Sequence, residues 1–154
     1  MKMKIAILVT SLLIAGCSST ASIKTENNIA NITINDKAPV TLSPDTPIKE
    51  TYSTTSFGQY KFKISETNGN KPMYGVIPLK FNGGYLAADI LLFAPAMFFN
   101  LREFFPFYEF NIESGIIKYK KNESDEWISY QPTKDEINSA QTYFNRIEME
   151  DTEK

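Results

Sequence analysis

The chain carries little of the chemistry on which most enzymes depend. It contains no histidine and a single cysteine, Cys17. Ser-His-Asp and Cys-His nucleophile systems and Cys/His zinc sites are therefore excluded. A carboxylate pair, a Ser-Lys pair or a tyrosine could still support catalysis, but no spacing in the chain indicates such a set. Neither a glycine-rich phosphate loop nor a calcium loop is present, so the sequence predicts no catalytic residue, metal site or cofactor.

Cys17 ends a patterned N-terminal segment. Two lysines within residues 1–4 precede the apolar stretch 5–14, and small Ala15 and Gly16 follow it. The apolar stretch is about ten residues long, whereas a membrane-spanning helix needs roughly 20. This segment therefore has the length and charge of an export signal rather than of a transmembrane helix.

The run Leu-Ile-Ala-Gly-Cys at 13–17 resembles the signal of bacterial lipoproteins. The resemblance implies a diacylglyceryl thioether on Cys17, cleavage between Gly16 and Cys17, and acylation of the new amino terminus. In that class, Ser18 rather than Asp after the cysteine usually permits transport to the outer membrane. We therefore expect a lipid-anchored protein on the periplasmic side of the outer membrane.

Composition divides the chain into three parts: a signal peptide at 1–16, a lipidated flexible tether at 17–28, and a single domain at 29–150. The tether is predicted because Ser, Thr, Lys, Glu and Asn dominate it and leave little apolar surface to bury. Removal of Lys2 and Lys4 with the signal turns 16 basic side chains into 14 against 18 acidic ones. This acidic balance argues against a nucleic acid partner.

Alternating apolar and polar residues predict strands at 29–34 and 60–64, a returning strand is predicted at 40–42, and an apolar run interrupted by Pro78 predicts another at 74–81. Prolines at 39, 44 and 47 place that part of the chain at a sheet edge or in loops, because proline lacks a donor for a central strand. Further strands are predicted at 107–112 and 116–121, joined as a hairpin through Gly115 at positive φ, and at 127–130.

Residues 85–99 are apolar all round, which predicts a buried helix of about 22 Å that Pro95 should kink. Asp89 is the only ionisable residue of that run, and we expect Arg102 or Lys80 to compensate its charge. The aromatic residues in and after the run could close the core or form an exposed patch for lipid or a partner protein. They are Phe98, Phe99, Phe104, Phe105 and Tyr108.

Thr133 and Glu136 form a capping box that predicts the start of a C-terminal helix. Its apolar stripe of Ile137, Ala140, Phe144 and Ile147 should pack on a sheet. Together these patterns predict an α+β fold: a small antiparallel sheet, an inserted apolar, proline-kinked helical segment and a C-terminal amphipathic helix.

Three functions remain open at this point. The first is a non-catalytic envelope lipoprotein that binds another envelope protein, as an accessory subunit or as an inhibitory or exclusion factor. The alternative is a lipid- or membrane-interface-binding protein that uses the aromatic segment 85–108. The third is an enzyme built on carboxylates or tyrosine, which would need two acidic groups within roughly 5–10 Å in a cleft.

Overall fold

The computed structural model describes residues 18–67, 69, 71–83 and 101–152, and within these ranges the chain forms eleven β-strands and one α-helix. The strands are β1 (Ser18–Thr25), β2 (Ala30–Ile34), β3 (Val40–Leu42), β4 (Ile48–Ser53), β5 (Lys61–Glu66), β6 (Met73–Val76), β7 (Leu79–Phe81), β8 (Arg102–Phe104), β9 (Phe107–Asn111), β10 (Ile116–Lys120) and β11 (Ile128–Tyr130). The helix, α1, spans Lys134–Thr152.

The strands form three sheets. The first sheet has five strands in the order β11-β10-β9-β1-β4, and the second sheet has four in the order β3-β2-β5-β6. Strands β7 and β8 form a short two-stranded end ribbon. Among the paired strands of the described ranges, β1 and β9 run parallel and all other pairs run antiparallel.

The first and second sheets pack face to face around the core. Residues two apart along a strand point to the same side of a sheet, and Ala21 and Ile23 of β1 and Ile32 and Ile34 of β2 are buried in this way. The rings of Phe62 and Phe110, one from each sheet, meet edge to face with centroids 5.3 Å apart. The two inner faces therefore form one continuous sandwich core.

The end ribbon closes one end of this sandwich. Its Phe104 is 2% exposed and stacks on Tyr52 of the first sheet, with ring centroids 4.0 Å apart. Tyr108 lies edge-on to Phe104 at 5.8 Å. Offset and edge-on ring pairs of this kind add to the stabilisation gained from burial alone.

Helix α1 covers the outer face of the second sheet. Its Ala140 and Phe144 are buried, and the Phe144 ring lies 6.2 Å from the ring of Tyr74 on β6. Lys63 of β5 forms an ion pair with Glu148 of the helix. The predicted packing of this stripe on a sheet is confirmed.

The predicted capping box is also confirmed. The Glu136 N–H donates to Thr133 Oγ1 at 3.3 Å, and the Thr133 N–H donates to Glu136 Oε2 at 2.8 Å. These bonds use amides at the start of the helix that have no partner within it.

Most predicted strands are present with boundaries moved by one to a few residues. The 74–81 run is split at Pro78 into β6 and β7, and the 107–130 region forms the predicted antiparallel meander. Gly115 has the expected positive φ of 68°. The proline-rich part contributes β3 and β4, each at the edge of its sheet.

The predicted α+β fold class is wrong. The described residues are mostly β, in three sheets with one C-terminal helix, and the first sheet is mixed rather than antiparallel. The strand content is higher than the sequence predicts because short strands with polar outer faces resemble loops in composition. The predicted helical insertion at 85–99 lies outside the described residues.

The predicted flexible tether is also wrong over Ser18–Thr25. This segment is β1, hydrogen-bonded to β4 on one side and to β9 on the other. Its outer positions are polar, but Ala21, Ile23 and Thr25 alternate toward the core and are buried. Two neighbouring strands stabilise a segment whose composition alone would leave it unfolded, so the domain includes Ser18–Thr25 instead of starting at residue 29.

Candidate functional site

Among the elements that the structure describes, helix α1 packs on the second sheet and leaves the outer face of the first sheet open. We call it the open face. Its main side chains, each on the side of its strand opposite the core, are Thr20, Lys24, Lys49, Glu109, Lys118 and Lys120. Four lysines against two glutamates, Glu109 and the adjoining Glu26, give this face a positive excess, although the chain as a whole has a net charge of −2.

Ion pairs order the central part of the open face. Lys24 lies 2.7 Å from Glu109, and Lys118 lies 2.9 Å from Glu26 and 3.4 Å from Glu109. The Asn111 side-chain amide also donates to Glu26, at 2.9 Å. Lysine stems packed over Glu109 leave it only 8% exposed, which is why a carboxylate can lie on an otherwise open face.

Two members of this network, Glu26 and Lys118, have shifted pKa values that favour their charged forms. Hydrogen bonds from Lys118 and Asn111 lower the pKa of Glu26, and the same contact with Glu26 raises the pKa of Lys118. A carboxylate held ionised by two donors suits an ion pair and is poorly suited to act as a general acid near neutral pH. The closest pair of carboxylates on this face therefore orders lysines.

An aromatic corner borders the open face. Lys120 Nζ lies 4.8 Å from the ring centre of Trp127 and 5.6 Å from that of Phe107. Trp127 is 36% exposed. Cations over aromatic rings are common where a protein surface binds another molecule.

Tyrosine offers no activated hydroxyl in the core. Tyr108 is 1% exposed, and burial raises its pKa far above the usual range. Its hydroxyl donates to the Pro78 carbonyl at 2.7 Å and accepts the Phe105 N–H at 2.8 Å. Burial also raises the pKa of Tyr52. These hydroxyls stay protonated and serve the fold.

The aromatic residues predicted as contacts for lipid or a partner are not on the surface where the structure describes them. Phe104 and Tyr108 are core residues, and Phe105 is half-buried against Tyr119 with ring centroids 4.4 Å apart. They cannot form an exposed patch because both sheets and the end ribbon enclose them. Of the two alternatives, closure of the core is the correct one for these three residues.

Arg102 is half-buried, but its partners are backbone carbonyls. Its Nε donates to the Ser56 carbonyl at 2.9 Å and its Nη2 to the Gly58 carbonyl at 3.1 Å. Lys80, the other expected partner of Asp89, forms an ion pair with Glu103. Asp89, Phe98 and Phe99, like Gly16 and Cys17, lie outside the described residues.

A cleft of about 450 Å³ lies at the end of the molecule far from Ser18. Tyr74 of β6, the β9–β10 turn at Glu113 and Ile137 of α1 contribute to its walls.

Sequence reasoning missed the open face. Composition predicts a tether at Lys24 and Glu26, the prolines predict a sheet edge or loops around Lys49, and Glu109 lies in a predicted strand with no predicted role. A usable signal existed, since residues 20–25 alternate polar and buried positions. The pattern within a single strand cannot predict that β1 pairs with both β4 and β9. This pairing is what places Lys24, Lys49 and Glu109 on the same face.

Over the residues the structure describes, no group of three or more Asp, Glu or Cys side chains could hold a metal ion, and no helix is long and apolar enough to cross a membrane. No family model, curated protein or solved structure matches the chain.

Proposed function

We propose that this protein is a bacterial envelope lipoprotein, acylated at Cys17, whose β-domain binds another envelope protein without catalysing a reaction. In this proposal it acts as an accessory subunit or as an inhibitory or exclusion factor. It is located at the periplasmic side of the outer membrane, as the lipoprotein-like signal and Ser18 imply.

The observation that carries the proposal is the start of β1. Ser18 directly follows Cys17 in the sequence and is already paired with Ser53 across the first sheet. The acyl chains and the central part of the fold would therefore be joined without a linker. A domain held in this way keeps a fixed orientation to the bilayer, which suits a protein that must present one surface to a neighbour in the same membrane.

The open face is the surface we assign to that neighbour. The strands of the first sheet lead away from Ser18, so the open face looks sideways, along the membrane, when Ser18 is next to the bilayer. Helix α1 covers the opposite side of the sandwich. The lysine excess and the Trp127 corner favour an acidic partner surface, since complementary charge speeds encounter and fixes register.

The lipid anchor can be tested directly. Mass spectrometry of the N-terminal peptide from the full chain expressed in a two-membrane bacterium should show a diacylglyceryl group and an acylated amino terminus on Cys17. The Cys17→Ser variant serves as the control and should remain unprocessed or unacylated. An unmodified cysteine in the native chain would refute the anchor.

Partner binding can be tested by placing a photo-crosslinking amino acid at Thr51 on the open face, with Asn145 on the exposed side of α1 as the control site. We expect a discrete protein adduct from position 51 alone. The double variant Lys49→Glu/Lys120→Glu should reduce that adduct at least about tenfold, because it reverses the charge of the surface. The variant Lys134→Glu makes one such charge reversal at the start of α1 and should have no such effect, whereas each single variant, Lys49→Glu or Lys120→Glu, should already weaken the adduct. Equal adducts from both sites would contradict the assignment.

A further inference from the structure

Two exposed phenylalanines lie at the end of the molecule where β1 begins. Phe57 is 75% exposed and Phe81 is 57% exposed, the highest values among the exposed aromatic side chains of the described residues. Single exposed apolar side chains are ordinary on a protein surface, but two exposed rings at the same end of the molecule suit an apolar or interfacial environment.

Strand register places both of them beside Ser18. The Phe104 N–H donates to Ser19 Oγ, a separation of 85 residues, and Ser22 pairs with Phe107 at the same separation. Continuing this parallel register puts Arg102 just beyond the level of Ser18. Arg102 pairs with Phe81 across the end ribbon and exchanges backbone hydrogen bonds with Thr55, two residues before Phe57.

Backbone contacts hold these rings in place. The Arg102 side chain donates to the carbonyls on both sides of Phe57, those of Ser56 and Gly58. Thr55 Oγ1 also accepts the Gly58 N–H at 2.8 Å. Phe81 is carried on β7, which pairs with β8. Both rings therefore lie on hydrogen-bonded backbone, next to the position where Cys17 would join the domain.

The far end of β1 also has an exposed apolar side chain, which provides a control for the two phenylalanines. Ile29 is 54% exposed, close to the value for Phe81, but it follows the last residue of β1. Seven residue steps along a strand span about 23 Å, so Ile29 is far from Ser18. An acyl chain on Cys17 would bring Phe57 and Phe81, but not Ile29, to the lipid.

We propose that Phe57 and Phe81 insert into the phospholipid leaflet that holds the acyl chains of Cys17. This inference rests on the proposed lipid anchor and adds the surface by which the domain meets the bilayer. The insertion gives the domain a second attachment beside the anchor and fixes its orientation, as apolar side chains at the headgroup boundary do in other interfacial proteins.

Fluorescence quenching by brominated phospholipids tests this. The acylated full-length protein is reconstituted into vesicles whose lipids carry bromine on the acyl chains. Trp127→Phe removes the single native tryptophan, and Phe81→Trp, Phe57→Trp or Ile29→Trp then supplies one reporter. We expect at least about twofold quenching for the reporters at 81 and 57 and almost none at 29, since only buried rings reach the brominated depth.

The outcomes separate the two proposals. Acylated, vesicle-bound protein with unquenched reporters at 57 and 81, or with equal quenching at 29, overturns the insertion and leaves the anchor standing. Protein that lacks acylation and stays free of vesicles overturns both. Using two reporters keeps the test decisive if one variant fails to fold, which circular dichroism would show.

Discussion

The two outer faces of the sandwich have similar strand patterns but different neighbours. On the second sheet, Tyr74 of β6 packs under Phe144, and Ala140 of the helix is buried. On the first sheet, hydroxyl and lysine side chains occupy most of the outer positions, and the two exposed threonines Thr20 and Thr51 bond to each other at 3.0 Å. The difference shows that one face is built for packing within the chain and the other for water or a partner.

That contrast is energetic as well as chemical. Burying apolar surface between α1 and the second sheet contributes to the free energy of unfolding, whereas exposed ion pairs contribute little because water and salt screen them. Substitutions on the covered face should therefore affect stability, and substitutions on the open face should affect binding.

The largest effect is expected for Phe144→Ala. Phe144 is 4% exposed, and its removal should lower the free energy of unfolding by about 3 kcal/mol by leaving a cavity under the helix. Thr51→Ala on the open face should change stability by less than about 0.5 kcal/mol. Urea unfolding followed by circular dichroism measures both, and similar losses from the two variants would remove the distinction between the faces.

A smaller effect is expected for Thr133→Ala, which removes the helix cap rather than its packing. The variant should lose about 1 kcal/mol, because the Glu136 N–H would no longer have its hydroxyl acceptor. Thr133→Ser keeps the hydroxyl and should behave nearly as the native chain does. The same unfolding measurement distinguishes them, and a Ser variant as unstable as the Ala variant would argue against the hydrogen bond as the cause.

The smallest effect is the loss of stability at acid pH that comes from Glu26 on the open face. Because Lys118 and Asn111 lower the pKa of Glu26 in the folded protein, this residue contributes stability above its ordinary pKa of 4.5 and loses it as the pH falls through the lowered value. The native chain should therefore lose more stability below pH 4.5 than Lys118→Met does, by less than about 1 kcal/mol.

NMR titration of the Glu26 carboxyl gives the same information at one residue. Its pKa should rise toward 4.5 in Lys118→Met and should also rise in high salt in the native chain. An unchanged pKa in the variant would mean that Lys118 does not hold this carboxylate.

Local patterns predicted the local structure well. The Thr133–Glu136 box, the Phe144 stripe and the Gly115 turn each depend on residues a few positions apart, and each is present as expected. Such features could be predicted because their hydrogen bonds and contacts are close in sequence.

Pairings between distant residues could not be predicted in this way. Ser18–Thr25 looked like a tether because its composition is polar, and only the register with β4 and β9 shows it to be a central strand. Long-range strand pairing also explains why Phe104 and Tyr108 lie in the core. It places Lys24, Glu109 and Lys118 next to one another on the open face.

The position of β1 also determines the order in which the chain can fold. As the first described strand it is made early, but its parallel partner β9 lies 85 residues further along. The first sheet therefore cannot be completed until β9 has been synthesised, and contacts between such distant residues form slowly. Because β1 needs β9 as a partner, the domain can complete its first sheet only after most of its residues have been synthesised, and until then β1 remains without one of its two neighbouring strands.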